Sequence, residues 1–193
     1  MEKRLVVFGP SSSYGMGLDS PDEEAWGGVL ASLLKRKLVN NSIPGASNKL
    51  IAYKATTYTY QPDDIVIIAW AYVDRYSVIQ SDTEYINFMP SDTNEESLNY
   101  YKYVHNDFDH IFMSRVYINY AINYLSQNGV DIKSLFNSKP DYDLQVNQDL
   151  SIPIIVGKYF LEYPLAKDGM HVGSLGHKAL GEVLFKFYLK SVI

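Results

Sequence analysis

The sequence predicts an α/β fold: a three-layer α/β/α sandwich around a mainly parallel sheet. Three observations predict it. Ile65-Val66-Ile67-Ile68-Ala69-Trp70 is a continuous apolar run rather than an alternating one, as a strand covered on both faces requires. Candidate strands alternate with helical stretches along the chain. The 193 residues, 47% of them apolar, suit one domain spanning residues 1–193 with a sizeable core.

Leu5 to Phe8 reads as a short buried strand. Gly9 to Ser20 is a Gly/Ser-rich loop. Pro21-Asp22-Glu23-Glu24 starts a helix, with acids in its first turn. Trp26, Val29, Leu30, Leu33 and Leu34 follow at helical spacing, and Lys35-Arg36-Lys37 closes the stretch. Leu38 to Asn40 is a second strand, and the turn-rich Asn41-Ser42-Ile43-Pro44-Gly45-Ala46-Ser47-Asn48 leaves it. A helix is expected from about Ser47 to about Tyr58, and Gln61-Pro62-Asp63-Asp64 breaks the pattern before the third strand. Arg75 to Thr93 reads as irregular. One long helical region is expected from about Glu95 to Gln127, ended by Asn128-Gly129. Ile152 to Val156 is a late strand whose Pro153 suits an edge better than an interior. The last helix is expected from about Ser174 to Lys190.

Composition excludes several functions. Seventeen Lys and Arg against 22 Asp and Glu give a net charge of -5, which argues against nucleic acid as a partner. With no cysteine, disulfides, thiolate nucleophiles and Cys-ligated zinc are excluded. The four histidines form no HExxH pair, so no metal is implied. No signal peptide and no membrane-length apolar run is read, so a cytoplasmic protein is expected. The 17 tyrosines are read as amphipathic packing on half-buried helices, with a sugar- or partner-binding face as the other reading.

The stretch "VVFGPSSSYGMGL", Val6 to Leu18, puts three hydroxyls at the end of a buried strand. In an α/β sheet, ligands bind outside the carboxyl ends of the strands. Gly9–Gly17, Asn41–Asn48 and Ala71–Arg75 all fall at such ends. A serine hydroxyl needs a base to take its proton, and that base needs a carboxylate to fix its tautomer. Asp168-Gly169-Met170-His171 offers both, three positions apart on a loop before the last helix. Backbone N–H groups of Ser11 and Gly45 are candidates for an oxyanion hole. The plain alternatives are that Ser11, Ser12 and Ser13 satisfy turn backbone groups and that His171 caps the helix near Ser174. Ser12 and Ser13 are read as structural, with Ser13 bonding to loop backbone. Asn48 is read as a helix cap, Trp70 as core, His177 as packing or a local hydrogen bond, and His105 and His110 as surface or half-buried. Arg75 reads equally as a surface partner of Asp74 and as a site residue. A phosphate loop is set aside, because the Gly9–Gly15 stretch lacks the Lys that a Walker-type loop needs.

These residues resemble the SGNH, or GDSL-type, hydrolases. "FGPSSSYG" is similar to their first block, F-G-D-S-x-x-x-G. It is closer to a branch met in phage and bacterial genomes, with G-C-S-F-T-Y-G followed by G-L and an acid. Gly9, Ser11, Tyr14, Gly15, Gly17, Leu18 and Asp19 match in register, with Pro10 in the Asp/Cys place and Ser13 in the Thr place. "NNSIPGASN" resembles the second block of that branch, and "DGMHVGSLGHKAL" the D-x-x-H fifth block. The resemblance implies a flavodoxin-like three-layer fold, Ser11 as nucleophile, His171 as base, Asp168 as its partner and Gly45 as oxyanion donor. It departs at the third block, usually G-x-N-D: Val73 stands where an Asn donor is expected. Trp70 and Arg75 fit the phage-type variant, so Arg75 is a substitute oxyanion donor or a ligand for an acidic substrate group. The implied function is hydrolysis of a carboxylic ester, such as an O-acetyl group on a glycan or a small ester, with no cofactor. The rival expectations are an inactive binding or virion-associated module of the same fold, and acyl transfer to an acceptor other than water.

Overall fold

The computed structural model describes residues 2–136, 151–155 and 162–190. Five parallel strands form the main sheet: β1 (Arg4–Phe8), β2 (Lys37–Asn40), β3 (Ile65–Trp70), β6 (Asp131–Phe136) and β7 (Ser151–Ile155). Their spatial order is β2-β1-β3-β6-β7. This is the doubly wound order in which the winding reverses between β1 and β3, so a crevice opens at their carboxyl ends.

Period-two alternation splits the apolar side chains between two layers. Val6, Phe8, Val66, Ile68, Trp70, Ile132 and Phe136 face α4 (Asn48–Thr57) and α6 (Asp107–Gln127). Leu5, Val7, Ile65, Ile67, Ala69 and Leu135 face α3 (Trp26–Leu33) and α7 (Ser174–Lys190). Every residue of β3 is buried, which accounts for its unbroken apolar run.

Several elements differ from the sequence expectation. The Gly9–Ser20 loop contains a one-turn helix, α1 (Ser11–Tyr14), closed by Gly15 at φ 86°. The next helical stretch is two pieces, α2 (Pro21–Glu24) and α3, broken where Ala25 adopts an extended ψ of 154°. The segment expected to be irregular holds an antiparallel hairpin, β4 (Tyr76–Ile79) and β5 (Tyr85–Phe88). The single long helix is also two, α5 (Glu95–Tyr103) and α6. Asn106 divides them, since its side chain accepts from the Asp109 N–H and starts α6. Strand β6 was not expected. β7 pairs only with β6 among the described residues, so Pro153 stands in a terminal strand.

Among the described residues, no helix is long and apolar enough to cross a membrane.

Candidate active site

The first loop is built for close packing. A Cβ on Gly9 would lie 2.5 Å from Ser13 Oγ, so only glycine lets α1 sit this tightly on the end of β1. Pro10 precedes the helix, and its carbonyl accepts from the Ser13 and Tyr14 N–H groups at 3.0 Å. Ser11 is the first helical residue and is half-buried; neither its Oγ nor its N–H has a hydrogen-bond partner among the described residues. Ser13 is buried with its Oγ unpartnered, so the expected bond to loop backbone is not formed.

The last loop folds back on itself before α7. Leu165 bridges Val172, the Ala166 N–H donates to the His171 carbonyl at 2.6 Å, and Gly169 turns the chain at φ 69°. Asp168 Oδ1 accepts from the Met170 and His171 N–H groups, both at 3.0 Å. Its Oδ2 lies 2.7 Å from His171 Nδ1. The His171 N–H, the Met170 N–H and the imidazole hold Asp168 down at about 2, so it is ionised at neutral pH. An ionised carboxylate only accepts, so Nδ1 carries the proton, and in the neutral imidazole Nε2 presents a lone pair. Nε2 has no partner among the described residues.

The first and last loops meet at Gly17. Its φ is 85°, and a Cβ there would lie 2.7 Å from Asp168 Oδ2. Lys167 Nζ reinforces the seam, donating to Asp19 Oδ1 at 2.5 Å.

The second loop joins the first by continuing the β2 ladder. The Asn41 N–H donates to the Val7 carbonyl and the Ile43 N–H to the Gly9 carbonyl, each at 2.8 Å. Gly45, at φ 76°, is buried beneath Asn87 and Met89 of the β5 region, and its N–H has no hydrogen-bond partner among the described residues. Asn87 fixes this turn, donating to the Pro44 carbonyl at 3.2 Å and accepting from Ser77 Oγ at 2.7 Å.

Asn48 does not cap α4. Ser47 does, accepting from the Leu50 N–H. The buried Asn48 amide instead grips Ala71 in both directions: Oδ1 accepts from its N–H at 2.8 Å and Nδ2 donates to its carbonyl at 3.1 Å. Trp70 is core, as expected, and its Nε1–H donates to Ser134 Oγ.

The third loop is held from outside by groups the sequence did not single out. His110, expected to be at the surface or half-buried, is buried. Its Nδ1 lies 3.2 Å from the Val73 carbonyl and its Nε2 2.6 Å from Tyr100 Oη. A carbonyl only accepts, so Nδ1 carries the proton. Burial, helped by the neighbouring His105, pulls His110 below its usual value; the ring is neutral at pH 7 and Nε2 accepts from the Tyr100 hydroxyl. The Asn106-Asp107 start of α6 was the available signal, since it sets the helix phase that turns His110 inward. Arg75 forms no ion pair with Asp74. Its guanidinium lies over the Tyr72 ring at 5.6 Å, and its buried Nη1 has no partner among the described residues.

His177 is fully buried and accepts from the Trp26 N–H through Nδ1 at 3.2 Å, which fits the packing role expected of it. Burial lowers it to about 4. Among the described residues, no group of three or more His, Cys, Asp or Glu is placed to hold a metal ion.

No protein-family model matches the sequence, and no curated protein matches it. Solved structures do match. The psychrotrophic esterase EstA from Pseudoalteromonas sp. is 13% identical, with a TM-score of 0.57 over 99% of each chain. A protein assigned to the G-D-S-L family of lipolytic proteins from Desulfitobacterium hafniense DCB-2 is also 13% identical, with a TM-score of 0.55 over 95% of this chain and 98% of that one. The acetyl xylan esterase Est2A from Butyrivibrio proteoclasticus is 11% identical, with a TM-score of 0.58 over 98% of this chain and 64% of that one. The parallel sheet, its strand order and these likenesses over nearly the whole chain establish that the protein has the SGNH, or GDSL-type, hydrolase fold.

Proposed function

We propose that the protein is a serine esterase with Ser11 as nucleophile, His171 as general base and Asp168 as the group that orients the imidazole. The observation that carries this reading is the Asp168–His171 pair, with the carboxylate ionised, Nδ1 engaged and Nε2 without a partner among the described residues, on a loop packed against Gly17 of the serine loop. Ser11 Oγ attacks the ester carbonyl as its proton passes to His171 Nε2. The N–H groups of Ser11 and Gly45, which have no partners of their own among the described residues, hold the oxyanion. The tetrahedral species expels the alcohol, which leaves with the proton from His171. Water then attacks the acyl-enzyme, again giving its proton to His171, and frees the acid and Ser11.

The third loop brings no side-chain amide to this oxyanion, since Val73 has none and its carbonyl is taken by His110. Losing one such donor costs about 3 kcal/mol of transition-state stabilisation, so turnover on activated esters is expected to be slow but serine-dependent. Acetyl esters of glycans and small carboxylic esters are the proposed substrates; the neighbours named as esterases favour them. Labelling with a fluorophosphonate probe tests the reading. Wild type is expected to label, and Ser11→Ala and His171→Ala are not. Equal labelling of wild type and Ser11→Ala, or none in either, removes it.

A further inference from the structure

A cavity of about 200 Å³ opens beside the third loop between α4 and α6. Lys49, Arg75, Tyr100, Asp109, His110 and Tyr117 line it. None of Ser11, Asp168 and His171 does. Arg75 is the feature that needs explaining. Its Nη1 is buried, and the guanidinium makes no hydrogen bond and no ion pair among the described residues. Among the described residues, the half-buried guanidinium is held only by the face of Tyr72, which leaves its buried N–H donors for a ligand to complete. Asp74 and Asp92 act on Arg75 only at longer range, and burial outweighs them, lowering it from its usual value.

We propose that this cavity binds a carboxylate group, with Arg75 as its ligand. Three observations choose the chemistry. The cations in the wall are Lys49 and Arg75, His110 being neutral, and Asp109 in the wall with Asp74 and Asp92 beyond it offset part of their charge. That balance suits a monoanion better than a dianion. The planar guanidinium fork matches the two oxygens of a carboxylate. At roughly 30 Å³ for each water-sized group, the volume admits a small acid or the acidic end of a larger molecule. The start of α4 forms one wall, and its partial positive charge adds to the guanidinium.

Gly45 lies two residues before Ser47 in this wall, so the carboxylate belongs to the ester substrate, an acidic sugar or acidic acyl group. That assignment to the substrate rests on the esterase reading; the binding site itself does not.

The test is a calorimetric and thermal-shift titration with benzoate, with benzamide as its neutral counterpart and inorganic phosphate, at a pH well above its second ionisation, as a dianion. Wild type and Ser11→Ala are expected to bind benzoate saturably, and neither to bind benzamide. Arg75→Met is expected to bind benzoate at least tenfold more weakly while melting no lower than wild type, because it removes an uncompensated charge. No saturable benzoate binding, equal binding of benzamide, phosphate binding as tight as benzoate, or an Arg75→Met variant that keeps its affinity overturns the proposal. The benzoate–benzamide contrast in wild type needs no variant. Benzoate binding without Ser11-dependent labelling leaves the carboxylate site standing and removes only the esterase; labelling without benzoate binding does the reverse.

Discussion

Replacing Gly17 by alanine tests whether the seam between the first and last loops sets the reactive geometry. Two costs follow from the structure. At φ 85° an L side chain pays about 1–2 kcal/mol for a left-handed backbone. The new methyl would also sit 2.7 Å from Asp168 Oδ2 and 2.9 Å from Ala166 Cβ, where ordinary contact begins at 3.4 Å. Asp168 must therefore retreat by about 0.7 Å, and His171 moves with it through their bond. A misplacement of about 1 Å costs on the order of 100-fold in rate, so Gly17→Ala is expected to lose at least tenfold in turnover of an activated ester such as p-nitrophenyl acetate. A control separates displacement from strain. Gly129 has a φ of 72°, with nothing within 4 Å of an added Cβ. Gly129→Ala carries the backbone cost alone and is expected to keep activity within about threefold of wild type. Steady-state kinetics at a temperature where both variants are folded makes the comparison. Full activity in Gly17→Ala, or the same loss in both, refutes the reasoning.

The remaining predictions concern stability. Removing Arg4 strands Asp64, whose side chain is only 2% exposed and which Arg4 bonds at 2.9 and 2.5 Å. Arg4→Met is expected to cost about 3–5 kcal/mol at pH 7 in urea unfolding. In wild type, burial pushes the Asp64 carboxyl up, but the Arg4 guanidinium and the Gln61 N–H outweigh it and hold it below its usual value. Its contribution is therefore present above the unfolded carboxylate value and lost as pH falls through the folded one. In Arg4→Met the Gln61 bond and the charge of Arg36 still oppose burial, so the loss of stability on acidification is expected to be smaller than in wild type. His177 falls from 6.5 to about 4 through burial, so the unfolded chain binds the extra proton between those values. Stability is expected to drop by about 3 kcal/mol as pH falls across that window, and a parallel urea series on His177→Gln should be flatter; an equal slope rejects the assignment. Asn48→Ala leaves both backbone groups of Ala71 unpaired at a buried position, with an expected cost of about 2–4 kcal/mol. An unchanged denaturation midpoint would count against the clamp.

The fold was legible where burial is continuous or strictly periodic. β1, β3 and α7 follow directly from apolar runs and helical spacing, because hydrophobic cover is what decides them. β6 escaped because Asp131, Lys133 and Ser134 dilute its pattern, although Trp70 uses Ser134 as an acceptor. The β4–β5 hairpin escaped because its strands are four residues each and its tyrosines suit a wet or a packed surface equally. At the site, the Asp168-x-x-His171 spacing was enough to foresee a bonded pair, since both partners lie on one local turn. The roles of Asn48 and His110 depend on contacts 23 and 37 residues away in sequence, which no local pattern carries. Arg75 read equally as a surface pair or a site residue for the same reason: only the packing of α6 shows that its guanidinium lies in a cavity.

The seam at Gly17 joins two segments far apart in sequence, and that has a consequence during synthesis. The serine proposed as nucleophile leaves the ribosome 160 positions before its proposed base. The base reaches its place only when α7 lays Leu180 and Leu184 against Trp26 and Leu30. On the esterase reading, a nascent chain is expected to carry that hydroxyl without its base until translation has passed α7, so chains released before that point are expected to be inert toward esters.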